Sequence, residues 1–88
     1  MKLLIAGLGL IGARHLEHAL RVPGVEVVGV VDPVVSSDLP QWASIEDVDV
    51  EADAIVIATP SDMHVVHAEA AAARGWHMLI EKPVAHSL

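Results

Sequence analysis

The chain has 88 residues, 53% apolar and 19% charged, with a formal net charge of −7 and no cysteine. That length holds one domain at most, and the apolar share suffices for a buried core. The charge argues against nucleic acid or an anionic membrane surface as a partner, because phosphate binding wants Lys and Arg; the missing cysteine excludes disulfides, Cys-ligated zinc and thiol catalysis.

With two Trp and neither Phe nor Tyr, the core must come from Val, Ile, Leu and Ala, a mix suited to strands covered on both faces. At the N-terminus, Lys2 and the apolar run Leu3–Ala13 superficially resemble a secretory leader. The run is far shorter than the roughly 20 residues that span a bilayer. It also holds three glycines, and no small-x-small cleavage site follows. The expectation is a cytoplasmic protein with no membrane partner.

Four apolar runs, Leu3–Ala6, Val25–Val31, Ala54–Ala58 and Met78–Ile80, are short, rich in β-branched residues and not alternating. They read as strands buried on both faces. Between the first two, Gly12, Leu16, Ala19 and Leu20 form one face of a helix that Pro23-Gly24 stops. The stretch from Pro33 to Glu51 shows no helical period. It reads as a turn, a short edge strand near Gln41–Ala43 and one helical turn at Ser44–Val48. Its acidic cluster (Glu46, Asp47, Asp49, Glu51, Asp53) reads as a solvated face. A second helix is expected over Ser61–Arg74, with Thr59 as its cap, Pro60 in the first position, Asp62 in the first turn and Gly75 as its left-handed stop. Its alanines (Ala68, Ala70–Ala73) favour a helix lying close on a sheet. The alternation of strand and helix predicts an α/β fold with right-handed crossovers and an open parallel sheet of about four or five strands.

Gly7-Leu8-Gly9-Leu10-Ile11-Gly12 matches G-x-G-x-x-G at the point where a strand gives way to an amphipathic helix. That context makes it a dinucleotide fingerprint and the sheet Rossmann-like. Gly7 permits the tight turn, Gly9 clears the approach of a pyrophosphate, and Gly12 lets the helix sit close. Free amides and the helix dipole then hold the anion at Gly7, Gly9, Leu10, Ile11 and Gly12 without a basic side chain. Asp32, 20 residues after Gly12 at the end of the valine run, is placed to accept hydrogen bonds from the adenosine ribose. Its carboxylate repels a 2′-phosphate and no Arg or Lys follows before Arg74, so NAD is preferred over NADP. The bland reading is a turn of glycines with Asp32 capping a strand.

With His15 after that loop, Ala58-Thr59-Pro60 followed by His64, and Glu81-Lys82-Pro83 after the last strand, the chain resembles the glucose–fructose oxidoreductase and inositol dehydrogenase family (Gfo/Idh/MocA) over nearly its whole length. The resemblance implies that residues 1–88 are its N-terminal NAD(P)-binding Rossmann domain. Thr59 and Pro60 would pass along the cofactor, with Glu81 and Lys82 at the nicotinamide end. Lys82 would be the catalytic residue, polarising the hydroxyl being oxidised and managing its proton. His64 falls at a position near the cofactor, though a first-turn histidine that is merely packed or solvated stays open. The pairs His15/His18 and His64/His67 share helix faces, but no further ligand completes a metal site, and they read as structural. The implied activity is hydride transfer from a hydroxyl of a small polyhydroxylated substrate (a sugar, polyol or relative) to NAD.

Two departures from the family stand out. Only Pro33–Leu39 occupies the place of the usual helix after the second strand, leaving the adenine side open or in need of cover from another chain. Ser87 is a good helix cap with only Leu88 after it, which suggests a longer protein whose substrate domain, the source of a further Asp and His, is absent. The chain alone is then expected to bind cofactor weakly, to turn over little, and to self-associate as a homo-oligomer through its exposed last strand. A non-catalytic dinucleotide-binding module and a plain structural α/β fragment are the competing readings.

Overall fold

A computed structural model describes residues 1–80, and of Ser61 only the backbone. Five strands appear in chain order: β1 (Lys2–Ala6), β2 (Glu26–Val31), β3 (Gln41–Trp42), β4 (Ala54–Ile57) and β5 (His77–Ile80). All pairings are parallel, in the spatial order β3-β2-β1-β4-β5. Helix α1 (Leu10–Ala19) links β1 to β2, and α2 (His64–Ala73) links β4 to β5. Because the chain leaves β1 in one direction and β4 in the other, right-handed crossovers put the two helices on opposite faces. The sheet is the expected Rossmann-like open α/β sheet.

The two faces explain why the central strands are apolar without alternation, at Leu3–Ala6 and Ala54–Ile57 above all. Along β1, Leu3 and Ile5 point to the α1 side, where they meet Val30, Val56, Leu16 and Ala19. Leu4 and Ala6 point the other way, to Val31, Ile55, Ile57 and the α2 residues Ala68 and Ala71. Leu4, Ile5, Ile55 and Ile57 have no exposed surface, and each such side chain contributes about 1.5–3 kcal/mol by leaving water. Ala71, also fully buried, lets α2 lie close on the sheet.

Several local expectations shift. Helix α2 starts at His64, preceded by a 3₁₀ turn over Ser61–Met63 in which the Met63 amide donates to the Pro60 carbonyl at 2.9 Å. Thr59 does not cap it, because its hydroxyl is engaged by His67 instead. Leu20 is 59% exposed rather than buried with the rest of its face. It falls after the last helical residue and about 80° round the axis from Gly12 at 3.6 residues per turn. Gly75 has the expected positive φ of 75°.

No helix joins β2 to β3. The loop is held by Gln41, whose amide nitrogen donates to the carbonyls of Asp32 (2.9 Å) and Val35 (2.7 Å) while its Oε1 accepts from the Ser37 amide (2.9 Å). A 3₁₀ turn at Ile45–Asp47 follows β3. It buries Ile45 and Val48, and Arg74 secures it from the end of α2 by donating to the carbonyls of Ile45 (3.2 Å) and Val48 (2.7 Å).

Gly29 lies against the Trp42 ring, and a Cβ there would run into that ring and come within 2.8 Å of the Pro40 carbonyl oxygen. Gly29→Ala is expected to cost about 1–3 kcal/mol by this overpacking, read as a lower urea midpoint. An unchanged midpoint would show that β3 moves away freely.

Strand β5 lies at the sheet edge with Met78, Leu79 and Ile80 exposed at 42%, 56% and 41%.

Candidate functional site

Where crossovers diverge, the loops leaving the two central strands cannot cover each other, and a crevice opens at the carboxyl ends of the strands. Here the loops after β1 and β4 frame a cleft of about 770 Å³, within the roughly 300–1,000 Å³ usual for ligand sites.

One wall is the glycine loop. Gly7 has φ of 90°, and its amide donates to the Val31 carbonyl at 2.8 Å. A Cβ on it would stand 2.9 Å from the Ala58 carbonyl and the Thr59 nitrogen, so the loop rests directly on the start of the β4 loop. At Gly12 a Cβ would collide with the Gly7 carbonyl; the third glycine therefore fits the helix to its own loop as well as to the sheet. Gly9 is different. A Cβ there meets nothing within 4 Å, so the loop's open side faces the cleft. Gly9 precedes α1, no side chain caps that helix, and its first turn carries no acidic residue. The amides of the first turn are therefore left for an anion, favoured by the dipole.

Across from it, Asp32 ties the glycine loop to the loop after β2. One carboxylate oxygen accepts from the Leu8 amide at 2.7 Å, and the other accepts from the Val34 (2.8 Å) and Val35 (2.7 Å) amides. Partial burial pushes its pKa up, but the three amides outweigh that and hold it below the ordinary carboxylate value. Asp32 is ionised at neutral pH.

The third wall is the loop after β4. The Thr59 hydroxyl pairs with His67 Nδ1 at 2.7 Å, and the Thr59 carbonyl with His64 Nε2 at 2.7 Å. Two histidines one turn apart thus hold one threonine by its hydroxyl and its carbonyl. Burial lowers the His67 pKa, with Glu46 opposing and His64 reinforcing the shift, so its ring is neutral at pH 7. Apolar side chains from the loop after β2 and from the turn at Ile45 complete the lining.

Of the residues singled out by sequence, Gly7, Gly9, Leu10, Ile11, Asp32, Thr59 and Pro60 line this one cleft. Gly12 lies beneath the loop, and His64 acts on the cleft through the Thr59 carbonyl. Glu81 and Lys82 lie outside the described residues. Sequence reasoning did not include Val34, Val35, Ser44, Glu46 or His67 in the site. The only available signal was the three-residue spacing of His67 from His64, read there as structural. Among the described residues, no group of three or more His, Asp or Glu is arranged to hold a metal ion.

Known proteins share this fold. The chain is 28% identical over 102 residues to 4-carboxy-2-hydroxymuconate-6-semialdehyde dehydrogenase of Sphingobium sp. strain SYK-6, a match covering 99% of the chain and 31% of that protein. The crystal structure of an NAD-binding protein from Listeria innocua superposes with a TM-score of 0.80 at 35% identity, covering 94% of the chain and 27% of that structure. A myo-inositol dehydrogenase from Corynebacterium glutamicum gives a TM-score of 0.83 at 29% identity, covering 96% and 28%. The chain thus spans less than a third of each relative's length. The family model described as the oxidoreductase family, NAD-binding Rossmann fold (GFO_IDH_MocA) matches residues 1–88, and the chain belongs to that family.

Proposed function

We propose that residues 1–88 form the cofactor-binding portion of an NAD-dependent oxidoreductase that oxidises a hydroxyl of a sugar, polyol or related small molecule. The observation that carries the reading is the uncapped start of α1, set on a glycine loop whose open side faces the same cleft as an ionised Asp32. The residues fit the cofactor: a cradle exists where a side chain on Gly9 would stand, and the amides need no basic partner.

In this reading Gly7 and Gly12 shape the loop, while the amides of Gly9, Leu10 and Ile11 face the diphosphate. Asp32 accepts from the ribose hydroxyls with the lone-pair capacity its three amides leave. Thr59 and Pro60, with His64 behind them, border the path towards the nicotinamide. Lys82 is assigned the chemistry, polarising the substrate oxygen and managing its proton, and Glu81 a part in binding the cofactor. Bound NAD supplies the hydride acceptor. The substrate class is supported by the myo-inositol dehydrogenase among the relatives. The exposed apolar strand β5 supports a homo-oligomer.

NAD is assigned over NADP because a 2′-phosphate would meet the Asp32 carboxylate, and no Lys or Arg is among the described residues lining the cleft. Like charges brought together cost several kcal/mol, so calorimetry is expected to show NAD⁺ binding at least about tenfold tighter than NADP⁺. Tighter binding of NADP⁺ would overturn the assignment, and binding of neither would overturn the function.

A further inference from the structure

The cleft holds three titratable side chains among its described lining residues, Asp32, Glu46 and His67, and neither Lys nor Arg. A dinucleotide brings a diphosphate into this space, so its charge is met by main-chain dipoles, two carboxylates and one imidazole. His67 is built into the site rather than hung over it: its Nδ1 is fixed at 2.7 Å from the Thr59 hydroxyl.

Resting on the function proposed above, we propose that His67 makes dinucleotide binding proton-linked, its ring being the one side chain among the described lining residues able to turn cationic as the anionic ligand arrives. The coupling has two parts. A charged ring attracts the diphosphate within a partly desolvated cleft. A charged ring is also a donor at both nitrogens, so the Thr59 oxygen then accepts from Nδ1 and its own proton is released to donate to the ligand. In the neutral ring the Thr59–His67 bond permits either direction.

The surrounding charges leave His67 in control of this response. On the turn packed against α2, Glu46 favours the charged ring, while Asp47 is engaged by the Ser44 hydroxyl at 3.0 Å. On α2 itself His64 disfavours it. Strand β4 beneath the helix carries no titratable residue, and His77 of β5 pairs with Ala54 at the other end of the sheet. Asp62, on the turn before α2, is exposed. Asp32 stays ionised throughout. The free ring sits below the ordinary histidine value of 6.5. A bound anion raises it, so affinity must increase as pH falls through that window and stay flat above it.

The test pairs calorimetry of NAD⁺ binding between pH 8 and 5.5 with a histidine-ring NMR titration of the same chain, with and without NAD⁺. Affinity is expected to rise from pH 7.5 to 5.5 towards a ceiling of about three- to tenfold, the limit set by an upward shift of the His67 titration by half to one pH unit. His67→Gln, which can still bond Thr59 but cannot charge, should abolish the rise. Adenosine, which lacks the diphosphate, should bind without it. A His67 titration unmoved by NAD⁺, a flat profile in the unaltered chain, or a rise that survives His67→Gln each overturns the proposal while leaving the cofactor assignment standing. Absence of NAD⁺ binding at every pH overturns both.

Discussion

Asp32→Ala is expected to weaken NAD⁺ binding by about a hundredfold, the equivalent of roughly 2.7 kcal/mol, and to lower the stability of the free chain as well. The two effects share one cause. The carboxylate accepts from Leu8 in the glycine loop and from Val34 and Val35 in the loop after β2, so it fixes the distance between two walls of the cleft before any ligand enters. The bond to Leu8 matters most for folding. Leu8 is 7% exposed, and its amide is left without a partner when the carboxylate goes. Val34 and Val35 are exposed, so water replaces the acceptor there at little cost. Together these changes should destabilise the chain by about 2–3 kcal/mol, measured by urea denaturation.

The pH dependence supplies an independent check on that account. The folded-state pKa of Asp32 is depressed. Its contribution is therefore fully present well above the unfolded value of about 3.9 and is lost as pH falls through the lower folded value. The unaltered chain should lose stability over that acid range, and Asp32→Ala should lack this part of the loss. If the two acid profiles run parallel, the three amide bonds are not what holds the loops.

Gly12→Ala should remove a large share of the fold's stability, whereas Gly9→Ala, three residues earlier, should leave the fold intact and impair ligand binding. At Gly12 the new Cβ would overlap the Gly7 carbonyl, which cannot retreat because Gly7 itself bears on the Ala58 carbonyl and the Thr59 nitrogen. Helix α1 must then lift from the loop, opening contacts of Leu16 and Ala19 with the sheet. Overlap with main-chain atoms of this kind falls in the range of about 3–5 kcal/mol, against a total of roughly 5–10 kcal/mol for a domain of this size. At Gly9 the φ of −64° suits any residue and the added carbon meets nothing. Circular dichroism should show a folded Gly9→Ala chain, and calorimetry a marked loss of NAD⁺ affinity. Equal stability of both variants would contradict this division of labour between the glycines.

Much of the cleft could be read along the chain because its parts are local. The glycine spacing, the apolar strand before it and the acidic residue closing the valine run each reflect neighbours a few positions away. Strands β1, β2 and β4 were legible for a similar reason: burial on both faces leaves an apolar run without alternation, whereas β5 carries such a run at an exposed edge. The start of α2 was not. Its position depends on whether the Thr59 hydroxyl turns to the helix amides or to His67, and the competing partner is chosen by packing. Leu20 was misjudged because spacing alone placed it on a face that the helix ends before completing.

The amino-acid order by itself determined the α/β alternation, the phosphate-type loop with Asp32, and the family signature in Ala58-Thr59-Pro60. Only the folded chain decided that Asp32 is tied to Leu8, 24 residues away, that Arg74 secures the turn at Ile45–Val48, and that His67 stands in the cleft beside Thr59. Periodicity and propensity act over a turn or two of chain. The partners of a carboxylate or an imidazole are set by which main-chain groups the packed sheet brings within hydrogen-bond reach, and no local pattern encodes that.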